Sequence, residues 1–208
     1  MFAPGAVRWI GPPTVVAALC AALAVVEPRP IRVVALTLVI LALALGVFLA
    51  VFFRDPDRAP GEGIVAPADG RVRAVSVEGE RLRISVFMNV TDVHVNRAPL
   101  DATVEGQEAA GAGYRAAFLP DADTNVRRHY RLATALGPVE VVQITGLVAR
   151  RIVPFVEVGA RLAKGDRFGM IVLGSRVDLV LPADRVRPTV KVGDRVRAGT
   201  TTVARLRP

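Results

Sequence analysis

The longest uncharged segment of the chain, residues 33–53, limits its possible folds more than any other feature. It reads VVALTLVILALALGVFLAVFF and contains 21 residues. A helix of that length extends about 31 Å, close to the ~30 Å hydrocarbon core of a bilayer. A second uncharged segment, residues 14–26, has only 13 residues and would extend about 20 Å. Together the segments predict a helical hairpin that either spans the membrane twice or spans it once and inserts partly.

A secretory signal peptide and a buried helix in a soluble core are the alternatives for this N-terminal region. Such a peptide has one apolar stretch followed by a cleavage site. Here the longer and more apolar stretch comes second and runs directly into Arg54, which favours a membrane anchor. Arginines lie before the hairpin, in its loop and after it, so the positive-inside rule gives only a slight preference for a cytoplasmic C-terminal part. We therefore expect the protein at the cell membrane, with its remainder on the cytoplasmic face.

The sequence after the hairpin changes to short β-type segments separated by turn signals. Apolar and polar residues alternate over residues 71–77, 82–86 and 139–144, and Asp-Gly and Gly-Pro pairs separate such runs. This pattern is typical of an all-β domain. The sequence therefore predicts an anchoring hairpin with its connector, residues 1–58, followed by a β-rich domain, residues 59–208.

A ten-residue pattern occurs twice in the β-rich part, as VEVGARLAKG at 156–165 and VKVGDRVRAG at 190–199. Its glycines fall where tight turns require positive φ. The pattern resembles the flattened β-sandwich of lipoyl- and biotinyl-carrier domains, although Lys164 and Lys191 lack the context of a modified lysine. We expect a mainly β fold, a flattened or barrel-like β-sandwich preceded by the helical hairpin. A non-catalytic, membrane-tethered, carrier-like adaptor is one function open to such a chain.

The charge composition indicates an anionic partner. The chain has 27 Lys and Arg against 19 Asp and Glu, a net charge of +8. Nucleic acid and a membrane surface are the usual partners of such a chain. Only 5% of the residues are aromatic, which leaves few stacking platforms for single-stranded nucleic acid, so we expect a membrane and no nucleic acid. One cysteine and two histidines do not provide the usual ligands of zinc, and no metal site is expected.

Two positions could carry chemistry. Asp92, His94 and Asn96 alternate with apolar residues, so in a strand they share one face. A single histidine in a strand is more often structural, but imidazole is the usual acid–base group near neutral pH. Ser175 follows Gly174 within an apolar segment. The pair either forms a bulge or, because glycine has no Cβ, lets the serine hydroxyl approach the preceding carbonyl.

Five motifs in order resemble the phosphatidylserine decarboxylase family in its short bacterial and archaeal form. They are FFRDP at 52–56, APADG at 66–70, DVHVNRAP at 92–99, FGMI at 168–171 and LGSR at 173–176. The similarity extends from about Phe52 to about Pro182. No single motif is decisive, but the ordered set is specific.

The resemblance implies an enzyme that cuts itself and decarboxylates phosphatidylserine through a Schiff base with a pyruvoyl group. By analogy, the Ser175 hydroxyl attacks the Gly174 carbonyl, and β-elimination leaves a pyruvoyl group at the head of residues 175–208. Serine needs a base held by a third group. The resemblance gives the role of base to His94 and that of orienting carboxylate to Asp69, with Asp92 as second choice.

The resemblance also implies a substrate and partners. Longer family members carry a second histidine three positions after the first, and here that position is Arg97, whose guanidinium could meet a substrate carboxylate or phosphate. The expected substrate is an anionic serine phospholipid, with either diacyl or ether-linked chains. The expected products of processing are the chains 1–174 and 175–208, which stay together, and a homo-oligomer is expected.

Overall fold

The computed structural model describes residues 1–113, 124–146, 151–172 and 175–207. The chain divides into two compact units, Met1–Pro56 and Asp57–Pro208. The boundary predicted from the sequence lies slightly later in the same charged connector.

The first unit is a pair of antiparallel helices, α1 (Val7–Val26) and α2 (Arg29–Phe52). Pro28 caps α2 with extended backbone, which the pyrrolidine ring favours. The two helices bury small residues and expose large apolar ones, which suits contact with lipid. The buried small residues are Ala17, Ala24, Ala35, Ala42 and Gly46. Both helices are long and apolar enough to cross a membrane, and the predicted helical hairpin is confirmed.

The second unit is built from antiparallel strands. In chain order they are β1 Ile64–Val65, β2 Gly70–Glu78, β3 Arg81–Met88, β4 Val95–Arg97, β5 Ala102–Ala110, β6 Arg127–Thr134, β7 Gly137–Thr145, β8 Arg151–Pro154, β9 Arg161–Leu162, β10 Arg167–Val172, β11 Ser175–Pro182, β12 Val186–Pro188, β13 Arg195–Val196 and β14 Thr202–Leu206.

Within the described ranges, these strands form one large sheet and two small ones. The large sheet has eight strands in the order β13-β2-β3-β11-β7-β6-β5-β9 and curls into a half-barrel. The small sheets have the orders β4-β10-β8 and β1-β14-β12. The predicted mainly β class is confirmed. Branched side chains of the long strands face the core, where Val72, Val86 and Val177 are fully buried.

The repeated ten-residue pattern forms the two edges of the large sheet. Its first copy contains β9 and its second contains β13, which lie at opposite ends of the strand order. The glycines at equivalent positions all have positive φ: 91° at Gly159 and Gly165, 96° at Gly193 and 75° at Gly199. The repeat therefore reflects two similar turn-and-strand units that end the sheet.

Gly70 is the glycine whose replacement should destabilise the sheet most clearly. Its φ is 144°, and a Cβ there would lie 2.0 Å from the carbonyl oxygen of Phe87. We expect Gly70→Ala to lower the free energy of unfolding by about 2–4 kcal/mol. Gly79→Ala, in the turn of the same hairpin, is the control because a Cβ there meets nothing within 4 Å, and it should cost about 1 kcal/mol. Thermal unfolding in detergent compares the two, and equal losses would contradict this prediction.

Candidate active site

Ser175 lies where the chain passes from a small sheet into the large one. Val172 is the last residue of β10 and Ser175 is the first of β11. Ser175 pairs with Met88 of β3 on one side and with Thr145 of β7 on the other, and it is fully buried. Gly174, the other half of the predicted pair, lies outside the described residues. The predicted nucleophile thus occupies a strand terminus in the middle of the large sheet.

The Ser175 hydroxyl is held by a sulfur atom. Its Oγ donates to Met88 Sδ at 3.2 Å, and Asn96 Nδ2 donates to the same sulfur at 3.7 Å. Gln143 Nε2 in turn donates to Asn96 Oδ1 at 2.6 Å. All four side chains are buried. Because a thioether is a weak acceptor, the hydroxyl is fixed in position by a bond that a stronger base can easily replace.

His94 is the last residue of the β3–β4 loop, residues 89–94. The imidazole is 1% exposed, and its Nδ1 lies 2.8 Å from the backbone carbonyl oxygen of Asp92. A carbonyl only accepts, so this contact places the ring hydrogen on Nδ1 and leaves Nε2 as the basic nitrogen. The His94 carbonyl accepts from the amide of Ile171 at 3.4 Å. His94 is therefore attached to β10, the strand that leads to Ser175.

Asp69 is held by a cation and a backbone amide. Arg58 donates to its two carboxylate oxygens at 2.5 and 2.8 Å, and the Ala198 amide donates to Oδ1 at 2.8 Å. These contacts fix the carboxylate firmly at the start of β2. The predicted role of Asp69 as the orienting partner of His94 stays a prediction.

The carboxylate of Asp92, the second choice for that role, binds a backbone amide and an arginine. Oδ2 accepts from the Asn89 amide at 2.9 Å and Oδ1 accepts from Arg195 at 3.1 Å. The residue nevertheless meets the ring of His94 through its backbone carbonyl. Asp92 therefore orients the imidazole by main-chain contact.

Arg97 is buried in β4, with 3% of its surface exposed. Its guanidinium donates to the Gly165 carbonyl at 3.1 Å, and its Cδ lies 3.0 Å from where a Cβ of Gly199 would be. The missing side chain at Gly199 thus leaves room for the arginine. Its predicted contact with substrate stays a prediction.

Several residues of the site were not predicted from the sequence. Gln143 gave a signal, because it is a single amide in the otherwise apolar run VVQI of β7. Met88 gave none, because a buried methionine is ordinary. Tyr130 is 1% exposed and packs edge-on against Phe168; burial raises the pKa of its phenol well above the usual range, so it stays protonated. Among the described residues no group of three or more His, Cys, Asp or Glu could hold a metal.

Comparison with known proteins gives a consistent result. The model of the family described as phosphatidylserine decarboxylase matches residues 45–204. A phosphatidylserine decarboxylase proenzyme of Thermobifida fusca is 44% identical over 206 residues, which cover 98% of this chain and 92% of the relative. One of Streptomyces griseus is 40% identical over 205 residues, 98% of this chain and 93% of the relative. A Halobacterium salinarum protein provisionally named archaetidylserine decarboxylase proenzyme is 46% identical over 170 residues, 80% of this chain and 85% of the relative.

Proposed function

This chain belongs to the phosphatidylserine decarboxylase family, and on that premise we propose that it converts a serine phospholipid to the corresponding ethanolamine phospholipid and CO2. The observation that carries the proposal is Ser175, buried at the first position of β11 and held on Met88 beside the loop of His94. Relatives are named for phosphatidylserine and for archaetidylserine, so the serine head group is the part of the substrate that the names share.

The first chemical event in this proposal is a rearrangement of the backbone. The Ser175 oxygen attacks the Gly174 carbonyl carbon, the C–N bond of the amide breaks to give an ester, and the hydroxyl proton passes through a base to the released nitrogen. A base then removes the proton from the Cα of residue 175, and β-elimination breaks the bond between Cβ and the ester oxygen, which frees a carboxylate at Gly174 and leaves dehydroalanine. Water replaces the nitrogen of that residue, and ammonia departs. The chain ending at residue 174 and the chain beginning at residue 175 are the products.

His94 is the proposed base. The Asp92 carbonyl holds hydrogen on Nδ1, which leaves Nε2 to accept a proton. The bond from Ser175 to the Met88 sulfur is weak enough to be given up when that transfer begins. After processing, the same imidazole is proposed to return the proton that replaces CO2. Asp69 is proposed to support the arrangement from the start of β2, and Arg97 is proposed to bind an anionic part of the substrate.

The group formed from Ser175 would supply a ketone-type carbonyl, which could condense with the substrate amine to a Schiff base and accept the electrons released when CO2 leaves. The residues around Ser175 suit such a group because Met88 and Thr145, its fully buried register partners on the two neighbouring strands, shield it from bulk solvent. Membrane attachment through α1 and α2 would bring this domain to its lipid substrate. The cytoplasmic location of the domain and a homo-oligomeric state are also part of the proposal.

Intact-mass analysis of the purified chain tests the function directly. The proposal requires two chains, residues 1–174 and 175–208, the second with a blocked N-terminus that hydroxylamine or borohydride modifies. The same sample should release CO2 from phosphatidylserine in detergent micelles. A single uncut chain without activity would favour the membrane-tethered adaptor instead.

Met88→Leu should slow self-cleavage by about tenfold, because it removes the sulfur that holds Ser175 while nearly preserving volume. The measurement is the fraction of cut chain against time after synthesis. Met170→Leu is the matched control, because Met170 is also buried, at 3% exposure, in the neighbouring β10. Equal cleavage rates in the two variants would show that the sulfur has no part in processing.

A further inference from the structure

A second concave site lies on the face of the large sheet opposite the core. Its cavity of about 320 Å³ is lined by Arg71, Arg73, Phe87 and Arg195 together with Asn89, Thr91 and Asp92 of the β3–β4 loop, and we call it the arginine pocket. Arg195 of β13 is the register partner of Arg71 in β2, and Arg71 is the partner of Phe87 in β3. The three residues therefore form a row across neighbouring strands on one face of the sheet.

A β-bulge adds the third arginine to this row. The register between β2 and β3 shifts between Val72 and Ala74, so Arg73 is an extra residue on its strand. Its Cζ lies 5.3 Å from the centroid of the Phe87 ring, a cation–π distance. The bulge thus directs Arg73 toward the ring of Phe87, which is also the register partner of Arg71.

Positive charge exceeds negative charge in the pocket. Three guanidinium groups stand against one carboxylate, that of Asp92, which accepts from Arg195 at 3.1 Å. Arg71 donates to the Gly193 carbonyl at 3.2 Å, a contact that anchors the side chain without neutralising it. Each guanidinium carries five N–H donors, so the pocket offers several donors to an anion. Binding an anion would also relieve repulsion among the arginines.

The pocket and the candidate active site share the β3–β4 loop. Asp92 lines the pocket with its side chain, and its backbone carbonyl contacts His94. Asn89, also at the pocket, directly follows Met88, whose sulfur holds Ser175. A ligand in the arginine pocket would therefore contact the same loop that carries His94, the proposed base.

We propose that the arginine pocket binds the phosphate group of a phospholipid. A phosphodiester carries a permanent negative charge, and its oxygens match the planar fork of arginine. This proposal of a phosphate site rests on the proposed function, because the decarboxylation of a phospholipid is the reaction that the site would assist. The phosphate belongs either to the substrate itself or to a neighbouring anionic lipid, and the two sources predict different kinetics.

The test uses the full-length chain in detergent micelles with short-chain phosphatidylserine. The double variant Arg71→Gln/Arg73→Gln is compared with Arg187→Gln/Arg205→Gln, which removes the same charge from an exposed cross-strand pair in β12 and β14. In neutral micelles, we expect the pocket variant to raise KM about tenfold with kcat and self-cleavage unchanged, if the substrate supplies the phosphate. If a neighbouring lipid supplies the phosphate, added phosphatidylglycerol should stimulate the wild-type enzyme. The pocket variant should then keep a normal KM and lose this stimulation.

Binding of short-chain phosphatidylglycerol, followed by the ³¹P signal, gives a readout that does not need turnover. The pocket variant should bind it at least several-fold more weakly than the control variant. If the two variants agree in KM, in stimulation and in phosphorus binding, the pocket binds no lipid phosphate. An uncut, inactive wild-type chain that still binds phosphatidylglycerol through these arginines would instead overturn the proposed function and leave the phosphate site standing.

Discussion

Ser175→Ala is expected to remain a single polypeptide of 208 residues and to release no CO2 from phosphatidylserine. Alanine removes the oxygen that attacks the preceding carbonyl, and without the cut the carbonyl needed for decarboxylation cannot form. The loss of activity should exceed a thousandfold, because no other group in the proposal replaces the nucleophile. Intact mass reports the processing, and release of labelled CO2 reports the activity.

Ser85→Ala provides the matched control for this variant. Ser85 is also a buried serine, 4% exposed, on the neighbouring β3, and it pairs with Asp178 of β11. It should be cut normally and remain active. Detection of the chains 1–174 and 175–208 in Ser175→Ala would remove Ser175 from the mechanism, whereas failure of both variants would indicate a folding defect.

His94→Gln is expected to slow self-cleavage by about a hundredfold to ten thousandfold, the usual contribution of a general base. A glutamine amide can still donate to the Asp92 carbonyl, but it cannot accept a proton at neutral pH. Cleavage is followed by intact mass over days, and decarboxylation is measured on the fraction that has been cut. Normal cleavage with lost decarboxylation would restrict His94 to turnover.

His129→Gln makes the same substitution at the other histidine. Its Nδ1 lies 2.7 Å from Glu140 Oε1, and its side chain is 30% exposed. Losing this pair should change stability by no more than about 1 kcal/mol and should leave cleavage intact. If both histidine variants cleave at the wild-type rate, another group must take the serine proton.

The fold class could be predicted because local patterns determine it. Length and hydrophobicity define α1 and α2, and alternation with turn residues defines strands such as β2, β3 and β7. The order of the strands could not be predicted in this way. β11 lies between β3 and β7, and such pairings depend on contacts between distant parts of the chain.

The same distinction applies to the candidate site. The sequence motifs predicted Ser175 and His94 as site residues, but the partners that hold the Ser175 side chain come from distant segments. Met88 and Gln143 reach the site through strand register; the amide in an apolar run marked Gln143 as unusual without showing its partner, and nothing in the sequence marked Met88. Arg58 shows the effect most clearly, because its segment has the composition of a linker, yet its side chain binds the Asp69 carboxylate.

The position of residues 175–207 in the sheets determines what the proposed cut would leave behind. β11 has a neighbour on each side, β13 extends the edge next to β2, and β14 lies between β1 and β12. After the cut, strands of the C-terminal chain would still pair with strands of the longer chain in two sheets. Neither chain could dissociate without breaking these strand pairings. The cut protein could not restore the broken peptide bond after denaturation. Its stability in use would therefore be set by its unfolding rate and not by a reversible folding equilibrium.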